Sequence, residues 1–206
     1  MNSLPPPKKT PRFSFVLPAF KARFLTQAIS SILGQTVNDF ELIIVNDKSP
    51  DDIDSIVLSF NDKRIRYTTN TENIGGKDLI KNWNLCCDMA KGEYLILASD
   101  DDIYSHIFLE EISDLLIKYP QVDLIRGRVR CTNDHGDEVE KDHFFPEYMT
   151  QDDFLYYASR GMISVQSQFV YKRKAFFKMG GFVNFPSAWN SDAATSYIMS
   201  CNGVCS

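Results

Sequence analysis

The amino-acid sequence predicts an open α/β fold, a mostly parallel sheet flanked by helices. Short β-type runs alternate along the chain with segments of helical apolar spacing. Two of the runs, ELIIV at 41–45 and YLILA at 94–98, are almost wholly apolar, the pattern of strands covered on both faces. Polar residues suited to chemistry stand just after the strands, where open α/β sheets bind their ligands.

Residues 1–11 carry three consecutive prolines and two lysines without apolar periodicity and read as a disordered lead-in; residues 12–206 are expected to form one domain. Lys8 and Lys9 add only about 1 kcal/mol each near an anionic membrane surface, so a solvated tail is expected. FSFVL at 13–17 is the first strand, halted by Pro18. Phe24, Leu25, Ala28, Ile29, Ile32 and Leu33 then have helical spacing, and Gly34 stops that helix. After the strand at 41–45, Ser49-Pro50-Asp51-Asp52 opens a helix with Ile53, Ile56, Val57 and Phe60 on its apolar stripe. A third strand follows near Ile65-Arg66-Tyr67.

Asn73-Ile74-Gly75-Gly76 is a turn. It leads to a helix with Leu79, Trp83, Cys86 and Ala90 on one face, ended by Lys91-Gly92. The strand at 94–98 runs straight into Ser99-Asp100-Asp101-Asp102. Leu109, Ile112, Leu115 and Leu116 mark another helix that stops before Pro120, and VDLI at 122–125 another strand. Residues 130–157 show no clean period and read as an excursion beside the active site. A strand near 168–171, a Gly180-Gly181 turn and a helix from Asp192 with Ala194, Tyr197, Ile198 and Cys201 on one face complete the pattern.

A net charge of −5 argues against nucleic acid as a partner, because phosphate binding needs a basic face. No run approaches about 18 apolar residues, and the start lacks the apolar core of a signal peptide, so a cytoplasmic location is expected. Five cysteines without a C-x-x-C pair fit reduced, mostly buried thiols.

The strand ends hold the candidate site. Three consecutive carboxylates repel one another and are most easily explained by a divalent cation, Mg²⁺ or Mn²⁺, which takes one or two carboxylates together with phosphate oxygens. Capping of the next helix accounts for one aspartate well but three poorly. Asp47 suits acceptance from the imide N–H of a base, or equally a turn. Phe20 suits base stacking or packing. Asn73 and Gly75 offer amide groups to a nucleotide or simply form a turn. Asp192 suits a helix cap or a general base.

Four blocks together resemble the inverting family 2 glycosyltransferases of GT-A (Rossmann-like) fold, including those of bacterial spore-coat polysaccharide synthesis. They are FSFVLPAF at 13–20, AISSILGQTVNDFELIIVNDKSPDD at 28–52, NIGGKDLIKNWNLCCDMAKGEYLILASDDDIY at 73–104 and GGFVNFPSAWNSDAA at 180–194. The resemblance implies a metal-dependent enzyme moving a sugar from a nucleotide-diphosphate donor, UDP- or dTDP-linked, to an acceptor hydroxyl with inversion. It implies that Pro18 and Phe20 line the nucleoside pocket, with Asp47 receiving a uracil-type base and Asn73 nearby. Asp100 would lie by the ribose, Asp101 and Asp102 would hold Mn²⁺ or Mg²⁺ at the diphosphate, and Asp192 would be the catalytic base. The acceptor would be a saccharide or lipid-linked saccharide in cell-surface polysaccharide or lipopolysaccharide synthesis, with peripheral association at the inner face of the membrane.

The sequence departs from the commoner family pattern at Asn46-Asp47, Phe20-Lys21 and Ser99, and it stops soon after Cys205, so a C-terminally truncated domain is expected. Two other classes fit less well. A sugar-1-phosphate nucleotidylyltransferase needs a basic Gly-rich loop after the first strand, where this chain has Pro18-Ala19-Phe20-Lys21. A non-catalytic calcium- or carbohydrate-binding module of EF-hand type needs alternating ligands and a central glycine.

Overall fold

A computed structural model describes residues 10–206, so Lys8, Lys9 and most of the predicted lead-in lie outside the described residues. The first half repeats strand and helix in strict order: β1 (Phe13–Ala19), α1 (Leu25–Leu33), β2 (Phe40–Asn46), α2 (Ile53–Leu58), β3 (Ile65–Thr69), α3 (Leu79–Cys87), β4 (Tyr94–Leu97) and α4 (Phe108–Lys118). The second half is shorter in its elements: β5 (Leu124–Arg126), β6 (Arg130–Thr132), β7 (Glu138–Lys141), β8 (Tyr148–Met149), α5 (Gln151–Ala158), β9 (Phe169–Lys172), α6 (Arg173–Lys178), α7 (Ser191–Met199) and β10 (Val204–Cys205).

Eight strands form one sheet in the order β3-β2-β1-β4-β9-β5-β10-β8. Strands β1 to β4 pair in parallel, and β9 runs antiparallel between β4 and β5. Period-2 alternation sorts the side chains between two cores. Phe13, Phe15 and Leu17 of β1 join Leu42 and Ile44 of β2 under α1, α2 and α4. Val16, Ile43 and Val45 face the opposite layer with α3 and α6. Every residue of β2 is buried, as its apolar run predicts.

The structure revises several expectations. Pro18 lies within β1, paired with Val45, and does not halt it. Its missing N–H leaves nothing unpaired, because β4 is in register with β1 only as far as Val16↔Leu97. Residues 130–157 hold the antiparallel hairpin β6–β7, the short strand β8 and most of α5, whose Thr150-Asp153 capping box starts it. In α3 the predicted face holds at Cys86, which is buried together with Ala90 just beyond the helix, and at Trp83, which packs against the core, but Leu79 is exposed and Ile80, Asn82 and Cys87 are buried as well.

In α7 the face is nearly reversed. Tyr197, Ile198 and Cys201 are exposed, and Ser191, Thr195, Ser196 and Met199 are buried. Small hydroxyl residues can line that inner face because Thr195 and Ser196 donate to the carbonyls of Ser191 and Asp192, at 2.6 and 2.9 Å. The cysteines are all free; Cys86, Cys87 and Cys205 are buried, and burial raises the Cys86 thiol pKa to about 12. Among the described residues, no helix is long and apolar enough to cross a membrane.

Candidate active site

The carboxyl ends of β1 and β4 meet through Asp100. Its Oδ2 accepts from the backbone N–H groups of Phe20 (2.8 Å) and Lys21 (2.7 Å), tying the exit of one strand to the exit of its neighbour. Asp101 points elsewhere: it is exposed, accepts from the Ser99 hydroxyl and lies 3.9 Å from the Lys21 ammonium. Asp102 is half-buried and accepts from Ser167 Oγ at 2.6 Å. Burial raises the Asp102 carboxyl above its ordinary pKa; the Ser167 hydrogen bond opposes that rise, and the charges of Asp101 and Asp100 add to it. The three carboxylates are thus parcelled out to separate donors.

A cavity of about 230 Å³ opens beside Asp102, lined among others by Pro18, Trp83, Ala98, Gln166 and Ser167. Of the predicted site residues, Pro18 and Asp102 line it; Phe20, Asp47, Asn73, Asp100, Asp101 and Asp192 do not. Phe20 is 39% exposed.

Asp47, at the end of β2, is 3% exposed and already occupied. Its Oδ1 accepts from Asn70 Nδ2 (2.7 Å) and Ile74 N (2.9 Å), and its Oδ2 from Gly75 N (2.7 Å). The carboxylate expected to receive a base holds the loop at 70–76. A Cβ on Gly75 would stand 2.8 Å from Asp47 Oδ2, which is why the close approach needs glycine. Asn73 likewise turns inward on its own loop, accepting from Gly76 N at 2.6 Å.

Asp192 lies in the first turn of α7, where Asn190 is the N-cap, so it does not cap that helix. Its carboxylate makes no hydrogen bond among the described residues; only its backbone carbonyl is engaged. The approach to α7 is held at both ends. Asn84 Oδ1 accepts from Phe182 N (2.9 Å), and a side chain on Gly181, already at φ +85°, would collide with Asn84. Ser187, Ala188 and Asn190 all adopt left-handed φ near +60°, a concentration of backbone strain directly before Asp192. Tyr171 OH joins Ser196 Oγ (3.2 Å) and receives Gln166 Nε2 (3.3 Å), linking α7 to the cavity wall.

That wall is pinned from behind. Arg126 at the end of β5 is fully buried and donates to Asp142 Oδ2 (2.5 Å) and Ile163 O (2.9 Å); Asp142 Oδ1 accepts from Ile163 N (3.2 Å). The pair fastens the excursion after β5 just ahead of Gln166 and Ser167. Sequence reasoning missed Gln166, Ser167, Asn84, Tyr171 and the Arg126–Asp142 pair. Tyr171 lies within the strand predicted near 168–171, where its pattern reads as core; Gln166 and Ser167 belong to no periodic stripe, and the Arg126–Asp142 pair is separated by a hairpin whose pattern is irregular.

Residues 14–180 match the family model for glycosyl transferase family 2. The chain belongs to that family. It is 38% identical over 95 residues to the GalNAc(5)-diNAcBac-PP-undecaprenol beta-1,3-glucosyltransferase of Campylobacter jejuni, a match covering 45% of this chain and 30% of that enzyme. Among solved structures it is similar to S. aureus TarS 1-349 in complex with UDP-GlcNAc, with TM-score 0.75 and 18% identity over 94% of this chain and 55% of that one. It is also similar to the mannosyltransferase PcManGT of Pyrobaculum calidifontis in complex with GDP-Man and Mn²⁺, with TM-score 0.67 and 19% identity over 100% of this chain and 57% of that one. The fold of this family 2 chain is therefore the GT-A type, as expected. The chain spans about a third of the length of the first curated relatives it matches, 35% in each of two Rickettsia glycosyltransferases.

Proposed function

We propose that this family 2 chain is an inverting glycosyltransferase that moves a sugar from a nucleoside diphosphate to an acceptor hydroxyl in cell-surface glycan synthesis. The observation that carries the reading is the convergence at one sheet edge. Asp100 closes the β1 exit onto β4, Asp102 lines the cavity there with the exposed Asp101 preceding it, and α7, which carries Asp192 in its first turn, is linked to Gln166 of the cavity wall through Ser196 and Tyr171.

The residues fit a divalent cation of the Mn²⁺ or Mg²⁺ kind. Among the described residues no three His, Cys, Asp or Glu side chains are grouped to enclose a metal. Such ions, however, take only one or two carboxylates when phosphate oxygens complete the shell. Asp101 is exposed and loosely paired, and Asp102 has one carboxylate oxygen free of Ser167. Asp101 and Asp102 would hold the ion, which neutralises charge on the departing diphosphate.

The chain's own side chains supply the rest. Pro18 and Phe20 flank the nucleoside, and Asp100 sets the Phe20 and Lys21 amides at the ribose side. Asp47 and Asn73 act on the nucleotide through the loop they hold. Asp192 takes the proton from the acceptor hydroxyl as that oxygen attacks the anomeric carbon and the bond to the diphosphate breaks. Its carboxylate is unoccupied by its own helix and so available for that proton. The Campylobacter relative is named for an undecaprenol-linked acceptor, which supports a lipid-linked saccharide as acceptor and peripheral contact with the membrane.

A thermal-shift panel of UDP, dTDP, GDP and CMP with and without Mn²⁺ tests the donor site, because a ligand that binds the folded state raises the midpoint. No metal-dependent shift with any diphosphate would sink it. Asp192→Asn should lower transfer to an acceptor by about 100-fold or more while leaving nucleotide affinity unchanged; Asp101→Ala should lose both. Normal transfer by Asp192→Asn refutes the base assignment.

A further inference from the structure

We propose that the Tyr171 hydroxyl is a positioning residue for Asp192: it ties the first turn of α7 to the sheet and so fixes the carboxylate that takes the acceptor proton. This rests on the base assignment above and adds the residue through which that base is held.

Little else holds the start of α7. Its N-cap, Asn190, has left-handed φ and makes no side-chain capping bond, and Ser187 and Ala188 ahead of it are left-handed too. A helix start of that kind lacks the usual side-chain partner of its first N–H groups. Nor does the inner face offer an apolar stripe in exchange. Of its buried residues, Ser191, Thr195, Ser196 and Met199, only the methionine is apolar. The placement of α7 therefore depends on hydroxyl groups.

Those hydroxyls have different partners. Ser191 Oγ accepts from Phe185 N (3.2 Å) and Thr195 Oγ1 from Val183 N (2.9 Å), both in the loop that leads into the helix. Gln151 Nε2 reaches Tyr197 O (2.8 Å) from α5, in the second half of α7. Among the described residues, the hydrogen bond between the sheet and α7 is the one from Tyr171 of β9 to Ser196 Oγ, at 3.2 Å.

That bond has a direction, because a serine or tyrosine hydroxyl carries one proton. Ser196 gives its proton to Asp192 O (2.9 Å), so Tyr171 gives its own to Ser196, and Gln166 turns Nε2 toward Tyr171 (3.3 Å). The chain runs from Gln166 through Tyr171 and Ser196 to the backbone of Asp192. Its origin is fixed: Val165 N donates to Gln168 Oε1 (3.2 Å), and the Ile163 carbonyl accepts from Arg126 (2.9 Å). Tyr171 is fixed as well, fully buried with its ring against those of Phe169, Phe176 and Phe182 at 6.1, 5.5 and 5.8 Å. Burial raises its pKa well above the usual phenol range, the Ser196 and Gln166 bonds oppose that rise, and the Asp192 charge adds to it. The hydroxyl thus keeps its proton for Ser196, and the Asp192 carboxylate is close enough to be felt there.

Tyr171→Phe removes the hydroxyl and keeps the ring. Transfer is measured in Mn²⁺ from UDP-glucose, UDP-N-acetylglucosamine and GDP-mannose to a polyprenyl-diphosphate-linked N-acetylglucosamine. Tyr171→Phe should lower kcat by about 10-fold to 100-fold at unchanged donor KM, since displacing a catalytic group by about 1 Å costs up to that much. Ser196→Ala breaks the same chain one link on and should do the same. The two together should lose no more than the larger single loss. In an Asp192→Asn background neither should lower the residual transfer further, because a residue that acts through the base then has nothing to position. Hydrogen exchange read by mass spectrometry is independent of turnover: the amides of 194–197 should exchange about tenfold faster in Tyr171→Phe, and those of β1 and β4 at the parental rate.

If Tyr171→Phe fails to fold, Ser196→Ala decides by the same readouts. The proposal is overturned by parental kcat in the variants, by a loss confined to KM, by a loss equally large in the Asp192→Asn background, or by unchanged exchange in α7. Where the parent transfers and Asp192→Asn does not, any of these overturns this proposal alone. A parent without transfer from any of the three donors, or an Asp192→Asn that transfers normally, overturns the reading above and this proposal with it.

Discussion

Replacing Asp142 by alanine isolates the energetics of the wall behind the cavity. Arg126 and Asp142 have side chains 0% and 1% exposed, with Nη2 and Oδ2 2.5 Å apart. Without the carboxylate, the guanidinium keeps the Ile163 carbonyl at 2.9 Å, a long contact of 3.4 Å to Ser206 Oγ and the face of Phe145 at 5.2 Å. Its Nε has no hydrogen-bond partner among the described residues even now. Burial already lowers the Arg126 pKa, and Asp142 is the group that opposes this. The backbone N–H groups of Val129 and Ile163 also lose their acceptor.

Removing one partner of a buried pair costs about 3–5 kcal/mol. With a urea m-value near 2 kcal/mol/M, the unfolding midpoint of Asp142→Ala should fall by about 1.5–2.5 M at unchanged m. Replacing both residues by apolar ones, Arg126→Met with Asp142→Leu, removes the stranded charge together with the pair. That double variant should recover only part of the loss, because the Val129 and Ile163 N–H groups still lack their acceptor and the Ile163 carbonyl loses the Arg126 donor. Equilibrium urea denaturation followed by circular dichroism compares all three. An Asp142→Ala loss under about 1 kcal/mol, or a double variant as unstable as the single, refutes the reasoning.

Two further perturbations test the strand ends. Gly75→Ala should lower the melting temperature, since its Cβ meets the anchored Asp47 carboxylate at 2.8 Å and overpacking costs about 1–3 kcal/mol. Gly76→Ala meets only the Asn73 side chain and should be milder; equal losses would count against the Asp47 anchor. Glu41, 7% exposed in β2, accepts from Ser14 Oγ (2.8 Å), Lys91 N (2.7 Å) and Arg66 Nη1 (2.8 Å). Burial works to raise its pKa, but those three partners outweigh burial and hold it below 4.5. A depressed carboxylate contributes stability that is present above the unfolded pKa and lost as pH falls through the folded one. Glu41→Gln should therefore cost about 1–3 kcal/mol at pH 7 and flatten the acid limb of a melting-temperature profile; an unchanged limb contradicts the assignment.

The parallel half of the fold is legible in the sequence because its strands are buried on both faces and its helices carry broad apolar stripes. Ile29 and Ile32, or Ile43 and Ile44, leave little choice of structure. Pro18 misleads, since whether its missing N–H matters depends on how far β4 extends alongside. The face of α7 misleads for a different reason. Ser191, Thr195 and Ser196 are polar by composition, yet the Thr195 and Ser196 hydroxyls donate within the helix and that of Ser191 accepts from Phe185 N, so they bury while Tyr197 and Ile198 do not. At the site, the acidic run is plain to read, but its division among Phe20 and Lys21, Ser99 and Ser167 depends on contacts from residues up to 80 positions away. Gln166 and Ser167 carry no pattern at all; only the antiparallel entry of β9 brings them beside β4.

That entry also bears on how the chain is made. Among the described residues strand β5 pairs with β9 and β10, both later in the sequence, and β4 has β9 as its outer neighbour. As the chain leaves the ribosome, β3, β2, β1 and β4 can assemble as soon as residue 97 is free. The strand at 124–126 must then wait, with both edges open, until residues 169–172 emerge and slot between it and β4. The cavity wall made by Gln166 and Ser167 is completed in that same step, so the two halves of the site are joined only after β9 has emerged, by a single insertion.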